Sequence, residues 1–132
     1  MSMGKILIID DEKDVREVIR LHLESEGFNN ILEAEDGGEA ISTLREEDNM
    51  VNVGIILCDI RMPKVNGIEC IDFLRREAPG IPVVVVTGYP DTEMATALMK
   101  KGVKDYLIKP VEKQKLVQTV TKLVAAGKNI EF

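Results

Sequence analysis

The sequence predicts an α/β protein with a doubly wound parallel sheet, because strand-like and helix-like segments alternate five times along it. Each strand-like segment is short and mostly apolar, and a segment with helical periodicity follows it. The strand-like segments span residues 5–9, 31–34, 53–58, 81–86 and 105–108. Such alternation implies parallel strands, right-handed crossovers and helices on both faces of a five-stranded sheet.

The third strand, residues 53–58, is the stretch around which the rest of the sequence is organised. It is apolar apart from one glycine and rich in β-branched residues, as expected for a strand covered on both faces. Asp59 follows it directly, and the turn signals at Pro63 and Gly67 indicate a loop. Asp59 is therefore expected at the carboxyl edge of the sheet, where open α/β sheets bind their ligands.

Acidic residues lie between the first strand and the first helix. Asp10, Asp11 and Glu12 end the strand, Asp14 is the predicted N-cap of the helix, and Gly27 is its predicted end. The predicted buried face of this helix consists of Val15, Val18, Ile19, His22 and Leu23. The histidine in this set is expected to be packed rather than catalytic, because nothing in the pattern pairs it with a nucleophile.

The remaining helices follow the other strands. They are predicted after Asp36 and over residues 67–77, 91–101 and 112–126. The charged end of the second helix, at residues 45–49, is expected to be solvated. Gly127 is the predicted end of the last helix.

Length and charge limit the classes of protein to consider. A chain of 132 residues predicts one domain, and the net charge of −6 offers no electrostatic footprint for nucleic acid. No apolar run is long enough to span a membrane, and no signal-peptide pattern is present, so we expect a soluble, cytoplasmic protein without a membrane partner. Cys58 and Cys70 fall in segments predicted to be buried, and they need no disulfide.

Polar side chains are predicted to converge where the strands end. The first strand ends in Asp10 and Asp11, the third in Asp59, the fourth in Thr87 and the fifth in Lys109. Clustered carboxylates repel each other unless a proton or a cation joins them, and a hard divalent ion such as Mg²⁺ or Mn²⁺ suits oxygen ligands. With an ammonium and a hydroxyl added, the set forms a cradle for a tetrahedral oxyanion such as phosphate.

These residues resemble the receiver domain of two-component response regulators. The resemblance covers residues 4–126 and leaves 127–132 as a tail or the stub of a linker. It is carried by Asp10-Asp11, Asp59-Ile60-Arg61-Met62-Pro63 with Gly67, Thr87-Gly88 and Asp105-Tyr106-Leu107-Ile108-Lys109-Pro110. The resemblance implies a flavodoxin-like (βα)5 fold with the strand order 2-1-3-4-5.

The resemblance also implies the chemistry of the site. Asp59 would accept a phosphoryl group from the phosphohistidine of a histidine kinase or a phosphotransfer protein, so the domain would be a signalling switch rather than an enzyme. Asp10, Asp11, Asp59 and the backbone carbonyl of Arg61 would hold Mg²⁺. Lys109 would pair with a phosphoryl oxygen, and its peptide bond to the following proline would be cis.

The implied switch involves two further side chains. Thr87 would move towards the phosphoryl group, and Tyr106 would turn from an exposed to a buried position in the space that Thr87 leaves. The output face, which comprises residues 91–101, 105–108 and 112–126, would then meet an effector domain or a second copy of the chain. Adaptable methionines in the fourth helix suit such a face.

Three positions near the site bear on how the switch would behave. Val103 follows Gly102 where the family usually has alanine, and we expect this change to alter packing near the fifth strand. Arg61 and Tyr89 are bulky residues beside the phosphorylation site, and such positions tune how fast the acyl phosphate is lost. We expect them to slow the access of water and to give a fairly long-lived phosphoryl group.

Three other functions compete with this interpretation. A flavodoxin-like FMN-binding protein would share the topology but needs a Ser/Thr-rich phosphate loop where this chain has acidic residues. A haloacid-dehalogenase-like phosphatase would need a second acid where this chain has Arg61. A receiver-like interaction module that is never phosphorylated is the third, and the complete set of site residues argues against it.

Overall fold

The computed structural model of the chain describes residues 4–60 and 67–129. Within these ranges, five strands alternate with helices as the sequence predicts. The elements are β1 (Lys5–Ile9), α1 (Lys13–Glu24), β2 (Ile31–Ala34), α2 (Gly37–Arg45), α3 (Asn49–Asn52), β3 (Val53–Cys58), α4 (Gly67–Glu77), β4 (Val83–Thr87), α5 (Thr92–Lys100), β5 (Asp105–Ile108) and α6 (Lys113–Asn129).

The strands form one parallel sheet in the order β2-β1-β3-β4-β5, which confirms the predicted fold class and strand order. The order reverses at β1, because β2 lies on one side of it and β3 on the other. Ligands of doubly wound folds bind at the carboxyl edge beside such a reversal. The register pairs Ile9 with Cys58, so the residues that follow β1 and β3 emerge next to each other.

Both faces of the sheet are covered, because consecutive side chains of a strand point to opposite sides. In β3, Ile56 packs in the core with α2 and α4, whereas Leu57 packs in the core with α1 and α6. The helices supply the outer layer of each core with Ala40, Leu44, Ile71, Leu74 and Leu98 on one face and with Ile19, Leu23, Leu116, Val120 and Val124 on the other. This arrangement confirms the prediction that β3 is buried on both sides.

Two predicted boundaries differ from those in the structure. The fourth strand begins at Val83 rather than at residue 81, because Pro82 has no N–H to donate to the ladder, and it includes Thr87. The last helix continues through Gly127 to Asn129, so the prediction that this glycine ends the helix is wrong. A glycine inside a helix costs only about 1 kcal/mol, which the rest of a long helix can offset.

The first helix differs from its prediction in two ways. Its N-cap is Glu12, without a side-chain capping bond, and Asp14 lies inside the first turn, so Asp14 is not the cap. Val18 is 51% exposed, so its predicted burial is wrong, whereas Ile19 and Leu23 are buried. Adjacent helical residues point about 100° apart, so Val18 lies off the stripe that Ile19 and Leu23 define.

The short helix α3 was not predicted. The chain before it is exposed at residues 45–48, as expected, but Asn49 is buried and the expectation that it is solvated is wrong. Its amide accepts a hydrogen bond from Lys5 Nζ at 2.8 Å and donates one to the carbonyl of Thr43 at 2.8 Å. A buried asparagine is stable here because its side-chain amide has a partner for both its donor and its acceptor groups.

In the ranges that the structure describes, none of the helices has the length and apolar character needed to cross a membrane.

Candidate functional site

The carboxyl ends of four adjacent strands position the candidate site. Asp10 follows β1, Asp59 follows β3, Thr87 ends β4 and Lys109 follows β5. The strand ladder continues past the strand ends, because Asp59 N donates to the carbonyl of Ile9 at 2.9 Å and Lys109 N donates to the carbonyl of Thr87 at 2.8 Å. The backbone therefore fixes where these polar side chains leave the sheet.

The Lys109 ammonium joins the two buried carboxylates of the site. Its Nζ lies 2.7 Å from Asp10 Oδ2 and 3.3 Å from Asp59 Oδ2. Asp10 is only 2% exposed and Asp59 only 4% exposed. Residues that are 50 and 99 positions apart in the sequence are thus in direct contact, as the sequence predicts for Asp10, Asp59 and Lys109.

The charge of Lys109 is stabilised by these contacts. Burial by itself would lower the pKa of Lys109, but the hydrogen bonds and negative charges of Asp10 and Asp59 raise it above its usual value. The lysine is therefore a permanent cation at neutral pH. It balances part of the negative charge that two buried carboxylates would otherwise leave uncompensated.

Three consecutive acidic residues form what we call the acidic triplet: Asp10, Asp11 and Glu12. One carboxylate oxygen from each lies within 4.8 Å of the others. Asp10 is buried while Asp11 and Glu12 are exposed, and Asp10 Oδ1 also accepts a hydrogen bond from Glu12 N at 2.9 Å. This all-oxygen set fits a hard divalent cation such as Mg²⁺, which prefers oxygen ligands and keeps several waters in its coordination shell.

The structure changes the candidate metal set in two respects, because Glu12 joins the carboxylates that lie within 4.8 Å of one another and Asp59 is not among them. Glu12 is placed within the acidic triplet although it was not among the candidate ligands, and its position directly after two aspartates was the available signal. Asp59 is linked to the triplet through Lys109, which contacts both Asp59 and Asp10. The predicted carbonyl ligand, Arg61, lies outside the described residues, so its role stays a prediction.

Thr87 is fully buried at the end of β4. Its Oγ1 accepts a hydrogen bond from Tyr89 N at 3.1 Å, which fixes the hydroxyl at the start of the following loop. Tyr89 itself is 62% exposed. The hydroxyl is the acceptor in this local bond, so its own O–H group can still donate to another acceptor when the loop moves, which is the physical requirement of the predicted switch.

Tyr106 is half-buried in β5, and its hydroxyl oxygen is buried without a hydrogen-bond partner among the described residues. It lines a groove of about 650 Å³ between α5 and β5, which also includes Met99, 47% exposed, and Ile108, 52% exposed.

The bond between Lys109 and Pro110 is cis, as the resemblance implied. Val103, the position that departs from the family pattern, is buried in the core beside α5.

Cys58 and Cys70 are free, buried and packed in the same core cluster. A hydrogen bond with Cys70, together with burial and nearby carboxylates, raises the pKa of the Cys58 thiol. Cys58 is therefore a neutral packing residue beside Asp59. Neither cysteine needs a disulfide, in agreement with the sequence.

Comparison with known families gives one match over most of the chain. The family model of the response regulator receiver domain matches residues 6–121. The crystal structure of a response regulator receiver domain protein from Clostridium thermocellum superimposes with a TM-score of 0.86 at 31% identity, covering 96% of this chain and 98% of that one.

Two curated relatives are longer proteins. The transcriptional regulatory protein ZraR of Escherichia coli is 32% identical over 126 residues, which cover 96% of this chain and 27% of ZraR. A cyclic di-GMP phosphodiesterase of Thermotoga maritima is 34% identical over 116 residues, which cover 88% of this chain and 30% of that protein. The chain thus spans little more than a quarter of these relatives, and none of these matches supports a flavin-binding protein.

Proposed function

This chain belongs to the response regulator receiver domain family and is a signalling domain of that family, and on this premise we propose that Asp59 is its phosphoacceptor. The observation that supports the proposal is the contact of the Lys109 ammonium with Asp59 Oδ2 at 3.3 Å and with Asp10 Oδ2 at 2.7 Å. It provides a nucleophilic carboxylate and a cation for phosphoryl oxygens in one place. Positioning and charge neutralisation are the main requirements of phosphoryl transfer.

In the proposed reaction, an Asp59 carboxylate oxygen attacks the phosphorus of a phosphohistidine on the donor protein. The new oxygen–phosphorus bond forms as the phosphorus–nitrogen bond breaks, and the bonding electrons return to the imidazole nitrogen. Lys109 pairs with an equatorial phosphoryl oxygen, for which it must loosen its contact with Asp10. Asp59 is almost fully buried, so water has little access to its carboxylate.

Mg²⁺ or Mn²⁺ is the proposed cofactor. Asp10, Asp11, Asp59 and the Arg61 carbonyl would hold it, and Glu12 offers a further oxygen from the same triplet. When bound, the ion would neutralise negative charge on the phosphoryl oxygens. The chain's own part is to orient the carboxylates, and the sheet does so through the backbone bonds at the ends of β1 and β3.

The output of the switch is also proposed from family membership. Thr87 would bond to the new phosphoryl group, and Tyr106 would report that change to the output face, formed by α5, β5 and α6. Grooves of about 650 and 550 Å³ flank β5 on this face, and both include Tyr106 and Ile108. A groove with exposed apolar side chains suits an effector domain or a second copy of the chain.

The partners are proposed in general terms. A sensor histidine kinase or a phosphotransfer protein would supply the phosphoryl group, in the cytoplasm. Curated relatives have other named activities, transcriptional regulation in one and cyclic di-GMP hydrolysis in another, so relatives do not define one output. The net charge of −6 argues against nucleic-acid binding by this segment itself.

The proposal is tested by incubating the purified protein with acetyl phosphate and MgCl₂ and then measuring its intact mass. We expect the wild type to gain one phosphoryl group, because Asp59 carries the nucleophile, and Asp59→Asn to gain none. Asp48→Asn is the matched control, since Asp48 is exposed and makes no side-chain capping bond. An unmodified wild-type chain would favour the alternative of an interaction module that is never phosphorylated.

The same sample also tests the lifetime of the phosphoryl group. After removal of acetyl phosphate, the phosphorylated mass should persist for many minutes with Mg²⁺ present, because the bulky Arg61 and Tyr89 side chains would hinder attacking water. Decay within seconds would contradict this expectation.

A further inference from the structure

Arg16 joins the acidic triplet to the neighbouring strand. It lies in the first turn of α1, and its side chain is only 12% exposed. Its Nη1 donates to the backbone carbonyl of Asp10 at 2.6 Å, and its Nε donates to Glu33 Oε1 at 2.8 Å. One planar guanidinium therefore holds a main-chain carbonyl in the candidate site and a carboxylate on β2 at the same time.

Glu33 is itself held in place from two sides. Its Oε2 accepts from Arg20 Nε at 2.7 Å, while Arg20 Nη2 reaches the carbonyl of Ile31 at 3.2 Å. Burial alone would raise the pKa of Glu33, but the hydrogen bonds and charges of Arg20 and Arg16 lower it. Glu33 is thus a fixed, ionised acceptor that sets the plane of the Arg16 guanidinium.

Asp10 is restrained at each of its polar groups. Its N–H donates to the carbonyl of Ala34 at 3.0 Å, and its carbonyl accepts from Arg16. Its Oδ1 accepts from Glu12 N, and its Oδ2 accepts from Lys109. Of these four contacts, the carboxylate contact with Lys109 is the one that phosphorylation would loosen, so the other three would keep the residue in position.

The geometry points to Arg16 as a positioning residue of the metal site: oriented by Glu33, it fixes the Asp10 peptide and so directs the acidic triplet towards Asp59. This inference rests on the proposed function, because it assumes that the triplet binds a divalent cation. Arg16 touches neither the ion nor the phosphoryl group in this proposal. It acts through Asp10, in the way that groups behind metal ligands commonly orient them.

The charge of Arg16 allows a sharp test. A cation near a metal site repels the metal ion, so charge alone predicts that removing Arg16 tightens metal binding. Positioning predicts the opposite, because a displaced Asp10 weakens binding. The sign of the change therefore distinguishes the two effects.

The experiment compares Arg16→Met with Arg20→Met. Both substitutions remove one positive charge from α1 and one hydrogen bond to Glu33, but only the first removes the contact with the Asp10 carbonyl. The dissociation constant of Mn²⁺ is measured by the electron paramagnetic resonance signal of the free ion, without any phosphoryl donor. We expect it to rise about 10-fold in Arg16→Met, the lower end of the usual range for such groups, and to change less than about 2-fold in Arg20→Met.

Lysine variants give the same comparison at constant charge. Arg16→Lys keeps the cation, but one ammonium replaces a planar fork that bridges two acceptors, so we expect an intermediate Mn²⁺ affinity. Arg20→Lys should bind as the wild type does. If circular dichroism shows that Arg16→Met does not fold, the lysine pair decides the question.

The outcomes separate the two proposals. Equal changes at positions 16 and 20, or unchanged or tighter binding in the Arg16 variants, would overturn the positioning role while leaving the proposed function intact. A wild-type chain that binds no Mn²⁺ would overturn the metal site and the positioning role together. Weaker Mn²⁺ binding that is confined to the Arg16 variants would establish the positioning role of Arg16.

Discussion

At the scale of single residues, Lys109 determines the charge balance of the site. Its ammonium contacts Asp10 at 2.7 Å and Asp59 at 3.3 Å, so the shorter contact is with the residue that is not the proposed phosphoacceptor. Asp59 therefore shares its cation before phosphorylation. The raised pKa of Lys109 means that its stabilising contribution is complete at neutral pH and is lost only as the pH rises through that raised value.

We predict that Lys109→Met lowers the free energy of unfolding at pH 7 by about 3 kcal/mol, because two buried carboxylates lose their shared cation. Excess MgCl₂ should recover part of this loss. Urea unfolding measures the effect, and Lys104→Met at an exposed position of the preceding loop is the control. A loss that is the same in both variants would show that the carboxylates do not depend on Lys109.

The hydroxyl of Tyr106 leads to a second prediction. This buried hydroxyl has no hydrogen-bond partner in the part of the chain that the structure describes, so its desolvation is uncompensated there, and Tyr106→Phe should raise the free energy of unfolding by about 1 kcal/mol. Tyr106→Leu removes the aromatic ring as well as the hydroxyl and should be destabilising. Comparison of the two variants therefore separates the contribution of the ring from that of the hydroxyl. Thermal and urea unfolding measure both changes. Destabilisation by the phenylalanine variant would mean that the hydroxyl has a partner in solution.

At the scale of elements, helix ends and short connections make hydrogen bonds that hydrophobic periodicity alone does not predict. The first turn of α1 brings Arg16 to the Asp10 carbonyl, and α3 fits between α2 and β3 through one buried asparagine. Both features depend on hydrogen bonds between side chains and residues of other elements. Such bonds leave little trace in a hydrophobic pattern, because each uses a single polar residue.

The structure predicts that Asn49→Ala destabilises the protein by about 1–2 kcal/mol, since it removes the bonds to Lys5 and to the carbonyl of Thr43. Phosphorylation should be unaffected, because α3 lies before β3, at the opposite edge of the sheet from the site. Asn52→Ala, at an exposed position of the same helix, is the control for the urea-unfolding measurement. Equal effects at the two positions would contradict a structural role for Asn49.

At the scale of the whole molecule, the sheet collects charges that are far apart in the sequence. The parallel order β2-β1-β3-β4-β5 brings the ends of β1, β3 and β5 to one edge of the sheet. At this edge Lys109 contacts both Asp10 and Asp59. Carboxylates concentrated at one place cost stability unless cations neutralise them. A divalent cation held by the acidic triplet should therefore stabilise the entire fold.

We predict that Mg²⁺ at about 100 times its dissociation constant stabilises the protein by about 2.7 kcal/mol, as expected for a ligand that binds only the folded state. Asp11→Asn should lose most of this gain, because it removes one carboxylate of the acidic triplet. Thermal unfolding with and without MgCl₂, with EDTA to reverse the effect, provides the measurement. An undiminished gain in Asp11→Asn would place the bound ion elsewhere.

The order and type of the main elements and the residues at the strand ends could be predicted from the sequence, and the family resemblance supplied the strand order. These features depend on local periodicity and on motifs at fixed positions. The sequence did not reveal that Lys109 lies closer to Asp10 than to Asp59 or that Arg16 holds the Asp10 carbonyl. These contacts depend on how elements that are far apart in the sequence pack against one another, and this packing chooses between partners that the sequence treats as equivalent.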